Sequence, residues 1–181
     1  MRCAALVVVS GIAVLHAADE IPRRPSVIDD FQNRVEAYAT LHKAAQGRLP
    51  ALKQINAAGD ILKGQHLLAA KIREKRHGVA QGNIFSPEIS QEFHRSAGAA
   101  THGPAAGRVA KSLKRAEPVK LTLRVNETYP QHVPLRSVPP SLLQNSPTLP
   151  PELEYRVVGH ARALRDIGAN LIVDFIPDLI P

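Results

Sequence analysis

Asp174 is the single charge in residues 171–176, an otherwise apolar run that predicts the last strand of a sheet. A buried carboxylate without a partner is costly, so a basic side chain is expected beside it. Arg156 and Arg165, on the strands predicted to precede it, are the natural partners. Two roles are open for this polar cluster. It is an ion pair that fixes the strand register, which we favour, or it supplies a carboxylate for ligand binding or acid–base chemistry.

A second group of charged side chains is the basic run Lys71, Arg73, Lys75 and Arg76. It falls at the predicted carboxyl end of a helix, where positive charge complements the helix dipole. The same four side chains are a candidate patch for an anionic partner such as phospholipid head groups or acidic wall polymers. The run contains no aromatic side chains on which bases could stack, so nucleic acid is not an expected partner.

Other reaction chemistry has little support in the sequence. The histidines are scattered, and no His-x-x-x-His pair places two metal ligands on one helical face. The serines form no Gly-x-Ser-x-Gly elbow. The one cysteine, Cys3, lies in an amino-terminal leader. We therefore expect no metal or other cofactor, and we favour a protein that is not an enzyme.

The leader, residues 1–17, has the layout of a secretory signal peptide. Arg2 precedes an apolar run at residues 4–15, and the small residues Ala17 and Ala18 follow. The run is about twelve residues long, whereas a membrane-spanning helix needs about twenty. We expect cleavage after Ala17 or Ala18, no transmembrane anchor in the mature chain, and a periplasmic or secreted location.

Residues 18–117 predict a mainly helical, basic region. A stripe of apolar residues from Ile28 to Ala45, with Ser26 as a capping residue, predicts a first helix over residues 26–46. A second helix is expected over residues 60–76, folding back on the first as a hairpin. Two shorter helices follow, one beginning at Ser86-Pro87 and a weaker one near residues 106–117, with a flexible connection over 96–107.

Residues 118–181 predict a β-rich region. Alternation over residues 119–125 indicates a half-buried strand, and residues 130–151 hold seven prolines that predict a stiff strap. Residues 153–176 then predict an antiparallel meander of three strands. In its last strand Leu171, Val173 and Phe175 are expected on one side, opposite Asp174. The fold class is thus α+β, with helices packed on a small carboxyl-terminal meander in one folded unit.

Several motifs together resemble a family of small exported bacterial proteins that carry no assigned function. The matching segments are residues 47–52 (GRLPAL), 84–89 (IFSPEI), 151–159 (PELEYRVVG), 164–166 (LRD) and 169–177 (ANLIVDFIP). They follow a signal peptide and a long first helix, and a Pro-rich link separates the second from the third. The resemblance covers most of the mature chain and supports the domain layout without implying a chemistry.

Charge distribution suggests a partner for the helical region. Residues 19–117 hold 16 basic against 10 acidic side chains, whereas residues 118–181 hold 6 of each. The basic excess therefore belongs to the helices and favours an anionic envelope component, or another exported protein, as the partner. We expect an exported, non-enzymatic interaction protein. The alternative is a small-ligand-binding protein or a hydrolase with a site near Asp174.

Overall fold

The computed structural model describes residues 26–49, 58–102, 107, 122–130 and 146–179. The predicted signal peptide and most of the predicted helix at 106–117 and of the Pro-rich strap lie outside these residues. The described part consists of three helices followed by three strands. Their bounds are α1 Val27–Gln46, α2 Ala58–Lys75, α3 Pro87–His102, β1 Leu153–Val158, β2 Ala161–Asp166 and β3 Leu171–Ile176. The predicted α+β class is confirmed.

Helix α1 begins at a capping box. The Ser26 hydroxyl accepts from the Asp29 N–H at 3.1 Å, and the Asp29 carboxylate accepts from the Ser26 N–H at 2.9 Å, which satisfies two amide groups at the helix start. The predicted stripe is confirmed except at its first residue, since Ile28 is exposed. The buried side of α1 consists of Phe31, Val35, Tyr38, Ala39, His42 and Ala45.

Helix α2 packs against α1 through a narrow apolar side. Leu68, Ala69 and Ile72 join the core, but Ile61, Leu62 and Leu67 are exposed. Successive helical residues are separated by about 100°, so Leu67 points away from the line through Leu68 and Ile72. Only some of the large apolar side chains of α2 therefore pack into the core.

Helix α3 is longer than predicted. Ser86 accepts from the Ile89 N–H at 3.3 Å, and Pro87 is the first helical residue, as expected. The prediction of a flexible connection from residue 96 is wrong, because the helix continues to His102. Ala97 is buried four residues after Phe93, so the same face of the helix continues to pack.

The sheet is the predicted antiparallel meander, in the order β1-β2-β3. Gly159 in the first turn and Asn170 in the second have positive φ values of 58° and 52°, a conformation that glycine and asparagine tolerate best. A bulge interrupts the second pair of strands. Leu164 pairs with Asp174 and Arg165 with Ile172, so that Val173 is the extra residue.

The bulge changes which residues of β3 share a face. Val173 lies in the same core cluster as Leu171 and Ile176, whereas Phe175 packs with Ile172 on the other side of the sheet. The predicted strict alternation, with Phe175 beside Val173 and opposite Asp174, is therefore wrong after Val173. One inserted residue brings Asp174 level with Leu164, on the side of the sheet that faces the helices.

Residues 126–129 run beside β3 and extend the sheet. The Asn126 N–H donates to the Ile172 carbonyl at 2.8 Å, and the Tyr129 N–H donates to the Asn170 carbonyl at 2.8 Å. The predicted strand at 119–125 lies partly outside the described residues, and its described part, 122–125, is not a strand. The pairing begins only at Asn126, whose φ of 65° turns the chain toward β3.

One cluster of buried apolar side chains includes residues from all three helices and all three strands. At its centre Phe31 of α1 stacks on Phe85 with ring centroids 5.6 Å apart, and Phe93 of α3 meets both rings edge-on at 5.3 Å. Tyr155 of β1 lies 6.1 Å from Phe93. Helices and sheet therefore share one core. Among the described residues, no helix combines the length and apolar character that crossing a membrane requires.

Candidate functional site

Asp166, the last residue of β2, is the centre of a buried polar cluster on the helix-facing side of the sheet. Its Oδ2 accepts from the Tyr38 hydroxyl at 2.8 Å and lies 2.6 Å from His42 Nδ1, while Oδ1 accepts from the Ala169 N–H at 2.7 Å. Tyr38 and His42 are four residues apart on α1, so both side chains point the same way. All three side chains are almost completely buried.

The hydrogen bonds of this cluster indicate which of its groups donate. Burial, together with the charge of Asp166, raises the pKa of Tyr38 well above its usual range, so the hydroxyl keeps its proton and donates. A carboxylate only accepts hydrogen bonds, so we assign the second shared proton to His42 Nδ1. The Arg76 guanidinium lies over the Tyr38 ring, 5.0 Å from the ring centroid, in a cation–π contact.

A turn covers the His42 ring. A methyl group placed on Gly168 would lie 3.1 Å from His42 Cε1 and 3.3 Å from Leu68 Cδ2, so the bare glycine backbone rests directly on the imidazole. An aspartate–histidine pair is also the arrangement that activates a nucleophile in hydrolases. Here the imidazole is buried beneath Gly168, so the geometry favours a structural role.

Arg76 is not part of an exposed patch. Its Nε donates to Asn126 Oδ1 at 3.0 Å, its Nη2 donates to the Val173 carbonyl at 2.9 Å, and Asn126 Nδ2 donates back to the Arg76 carbonyl at 2.9 Å. Burial lowers the pKa of Arg76, and Tyr38 and Asp174 oppose that change. The arginine stays charged and ties the end of α2 to the bulge in β3.

Arg73 also binds the segment beside β3. Its Nε donates to the Asn126 carbonyl at 2.8 Å and its Nη2 to Thr128 Oγ1 at 2.7 Å. The predicted patch is therefore divided, because Arg73 and Arg76 have internal partners while Lys71 and Lys75 remain exposed. The sequence itself indicates that Arg76 is buried. Arg76 follows Leu68 and Ile72 at a spacing of four residues, so it lies on the buried side of α2.

Asp174 is completely buried and binds backbone rather than arginine. Its Oδ2 accepts from the N–H groups of Ile84 and Phe85 at 2.8 and 2.9 Å, and Oδ1 accepts from Gly82 at 3.0 Å and from its own neighbour Phe175 at 2.9 Å. The expected pairing with Arg156 and Arg165 is wrong, because the bulge turns Asp174 toward the loop before α3. Four donors occupy the carboxylate, so the geometry gives no support to a ligand site on it.

Arg156 and Arg165 instead share Glu154, on the opposite side of the sheet. Both guanidinium groups bind the Glu154 carboxylate, and Arg165 sits directly across from Glu154 in the pairing of β1 with β2. Arg165 Nε also donates to Asn170 Oδ1 at 2.8 Å. An ion pair thus joins neighbouring strands, as expected, but its acid is Glu154. Burial alone would raise the pKa of Glu154, and the two arginines lower it overall.

A groove of about 520 Å³ lies between α1 and the residues that precede β1. It is lined by Gln32, Glu36, Ala39, Thr40, Lys43, Thr148, Leu149 and Pro150. Gln32 Nε2 donates to the Thr148 carbonyl at 3.2 Å, and Lys43 Nζ lies 3.3 Å from Glu152 Oε1. The groove therefore presents Glu36 and Lys43, two helical turns apart on α1, beside the apolar residues Ala39, Leu149 and Pro150.

Comparison with protein-family models, curated proteins and solved structures gave no match. In the part of the chain that the structure describes, no group of three His, Cys, Asp or Glu side chains is arranged to hold a metal ion.

The first prediction concerns Asp174. Asp174→Asn replaces one acceptor oxygen with an NH₂ group that faces backbone N–H donors, which leaves buried donors without a partner. We expect the free energy of unfolding to fall by about 2 kcal/mol, measured by urea denaturation. Asp178→Asn is the matched control, because Asp178 is exposed and asparagine tolerates its positive φ of 49°. Equal stability of the two variants would contradict the assignment.

The second prediction concerns Glu154 and pH. Because its pKa in the folded state is below the usual value, Glu154 stabilises the fold above the ordinary glutamate range, and this contribution disappears as the pH falls through the folded-state pKa. Glu154→Gln should be less stable than the wild type at neutral pH and should lose less stability on acidification. Glu127→Gln, at an exposed position, is the control. Parallel pH–stability curves for wild type and Glu154→Gln would refute this prediction.

Proposed function

We propose that this chain is an exported, non-enzymatic interaction protein that binds an anionic component of the cell envelope or of the extracellular space. The leader layout and the resemblance to small exported bacterial proteins support export. The overall charge of +7, concentrated in the helical region, supports an anionic partner.

The observation that carries the proposal is the division of the basic residues on α2. Arg73 and Arg76 bind internal groups, so their positions have a structural explanation. Lys63, Lys71 and Lys75 point to solvent, and exposed Arg48 follows the end of α1. Their local partners Asp60 and Glu74 neutralise them only in part. Such exposed lysines remain available to an anionic surface.

A second candidate function is the binding of a small ligand, and the groove beside α1 is the observation that favours it. Its volume lies in the range that small-molecule sites occupy. Glu36 and Lys43 offer complementary charges to a ligand with both an amino and a carboxylate group. This site would replace the one expected near Asp174.

The test of the preferred function is co-sedimentation of the purified protein with insoluble wall material from its host and, separately, with vesicles containing phosphatidylglycerol. We expect binding to at least one of these at low salt and loss of that binding at high salt, because exposed charges are screened. A wall preparation or vesicle without anionic groups is the control. Failure to bind either anionic material at low salt would refute the proposed partner. Export is tested separately, by intact mass spectrometry of the protein from its host, which shows whether the leader has been removed.

A further inference from the structure

One face of α1 forms a wall of the groove that lies beside the residues preceding β1. The side chains on this wall follow the three-and-four spacing of a single helical face; they are Gln32, Glu36, Ala39, Thr40 and Lys43. They extend over about 16 Å of the helix axis. The opposite wall is residues 148–150, which belong to neither a helix nor a strand. The groove is therefore long enough for an elongated ligand.

The helical wall carries opposite charges two turns apart. Glu36 and Lys43 are seven residues apart, so their backbone positions are separated by about 10 Å along the helix axis. Among the described residues, no hydrogen-bond donor or basic side chain is paired with the exposed Glu36 carboxylate. The Lys43 ammonium lies 3.3 Å from Glu152 Oε1, beside the start of β1, but its side chain is 64% exposed. An ammonium has three N–H donors, so Lys43 can bind a second carboxylate.

The wall opposite α1 offers unused backbone groups. The Leu149 side chain packs on the core, which holds the main chain in place, and the Thr148 carbonyl accepts from Gln32 Nε2. Within the described residues, the N–H and the carbonyl of Leu149 have no hydrogen-bond partner. On α1 the Thr40 hydroxyl donates to the Glu36 carbonyl, so its oxygen can still accept. Another peptide backbone supplies the donors and acceptors that match these groups.

We propose that the groove binds an extended tripeptide, with its free amino terminus at Glu36 and its free carboxylate at Lys43. This inference is separate from the preferred function and rests on the second candidate function, whose ligand it specifies. Three extended residues span about 10 Å, which matches the separation of the two charges. The main chain of the peptide lies against Leu149, and its small side chains contact Ala39 and Pro150.

The separation of the charges selects a tripeptide over other ligands. In a free amino acid a single carbon separates the ammonium from the carboxylate, so one molecule cannot reach both Glu36 and Lys43. A purely apolar ligand would remove water from these two charges without replacing it. A long anionic polymer would meet the like charges of Glu36 and Glu152. A short peptide complements both charges and the backbone groups between them.

The experiment records amide NMR spectra of nitrogen-15-labelled protein purified from its host while a probe is added. The probes are trialanine, alanine, N-acetyl-trialanine and trialanine amide. We expect trialanine to shift the amide signals of Ala39, Thr40 and Leu149. Blocking either terminus removes one ion pair at the surface, so each blocked peptide should bind about fivefold more weakly than trialanine. Free alanine should bind more weakly by at least about fivefold.

Two variants assign the ends of the peptide. Glu36→Gln should weaken trialanine binding about fivefold and leave binding of N-acetyl-trialanine unchanged, because both changes remove the same ion pair. Lys43→Gln should behave in the same way toward trialanine and trialanine amide. Glu127→Gln and Arg95→Gln, at exposed positions outside the groove, should bind trialanine like the wild type. The spectra show whether each variant is folded, and if Lys43→Gln is not, the Glu36→Gln comparison decides.

The outcomes separate this inference from both candidate functions. Alanine binding as tightly as trialanine would overturn the inference and leave the second candidate function standing. Groove signals that shift with neither probe would overturn both, because that function also requires a ligand with an amino and a carboxylate group. A Glu36→Gln variant that loses trialanine and N-acetyl-trialanine binding equally would overturn the assigned ends and with them the inference. The anionic partner is judged separately, by co-sedimentation.

Discussion

The buried carboxylate of Asp166 is the constraint on which the arrangement of helices and sheet depends. It is fully removed from solvent, and an ionised group there is tolerated only when hydrogen-bond donors surround it. Two of the donors, Tyr38 and His42, come from α1, and the third is the Ala169 amide in the turn after β2. Because Asp166 ends a strand, these bonds fix how α1 crosses the sheet and hold the turn over the His42 ring.

The other buried charges follow the same principle at different places. Asp174 accepts hydrogen bonds from backbone N–H groups of the loop before α3. Arg76 donates to the Asn126 side chain and to the carbonyl of Val173 at the bulge. Each charge joins a strand to a segment distant in the chain, in a protein whose only cysteine lies in the predicted leader. Burial of apolar surface supplies the driving force for folding, and these hydrogen-bonded charges determine which packing is reached.

The sequence predicts the elements better than their contacts. The stripe and capping box of α1 and the two turns of the meander are local patterns, so the helices and strand order follow from them. The bulge at Val173 leaves no such pattern, and it alone moves Asp174 away from the arginines. Tyr38 and His42 belong to the apolar stripe of α1 and Asp166 ends β2, but only the tertiary fold brings the three side chains together. The exposure of Leu67 follows from helical geometry and could have been read from its spacing.

The most direct test of this account is proton NMR of protein labelled with nitrogen-15 at histidine. A hydrogen bond of 2.6 Å from His42 to Asp166 inside the core predicts one strongly downfield imidazole N–H signal that exchanges slowly with water. It should disappear in His42→Gln and move upfield in Asp166→Asn. If the folded protein shows no protected imidazole N–H, or if the signal persists unchanged in both variants, the buried Asp166 cluster does not hold α1 to the sheet.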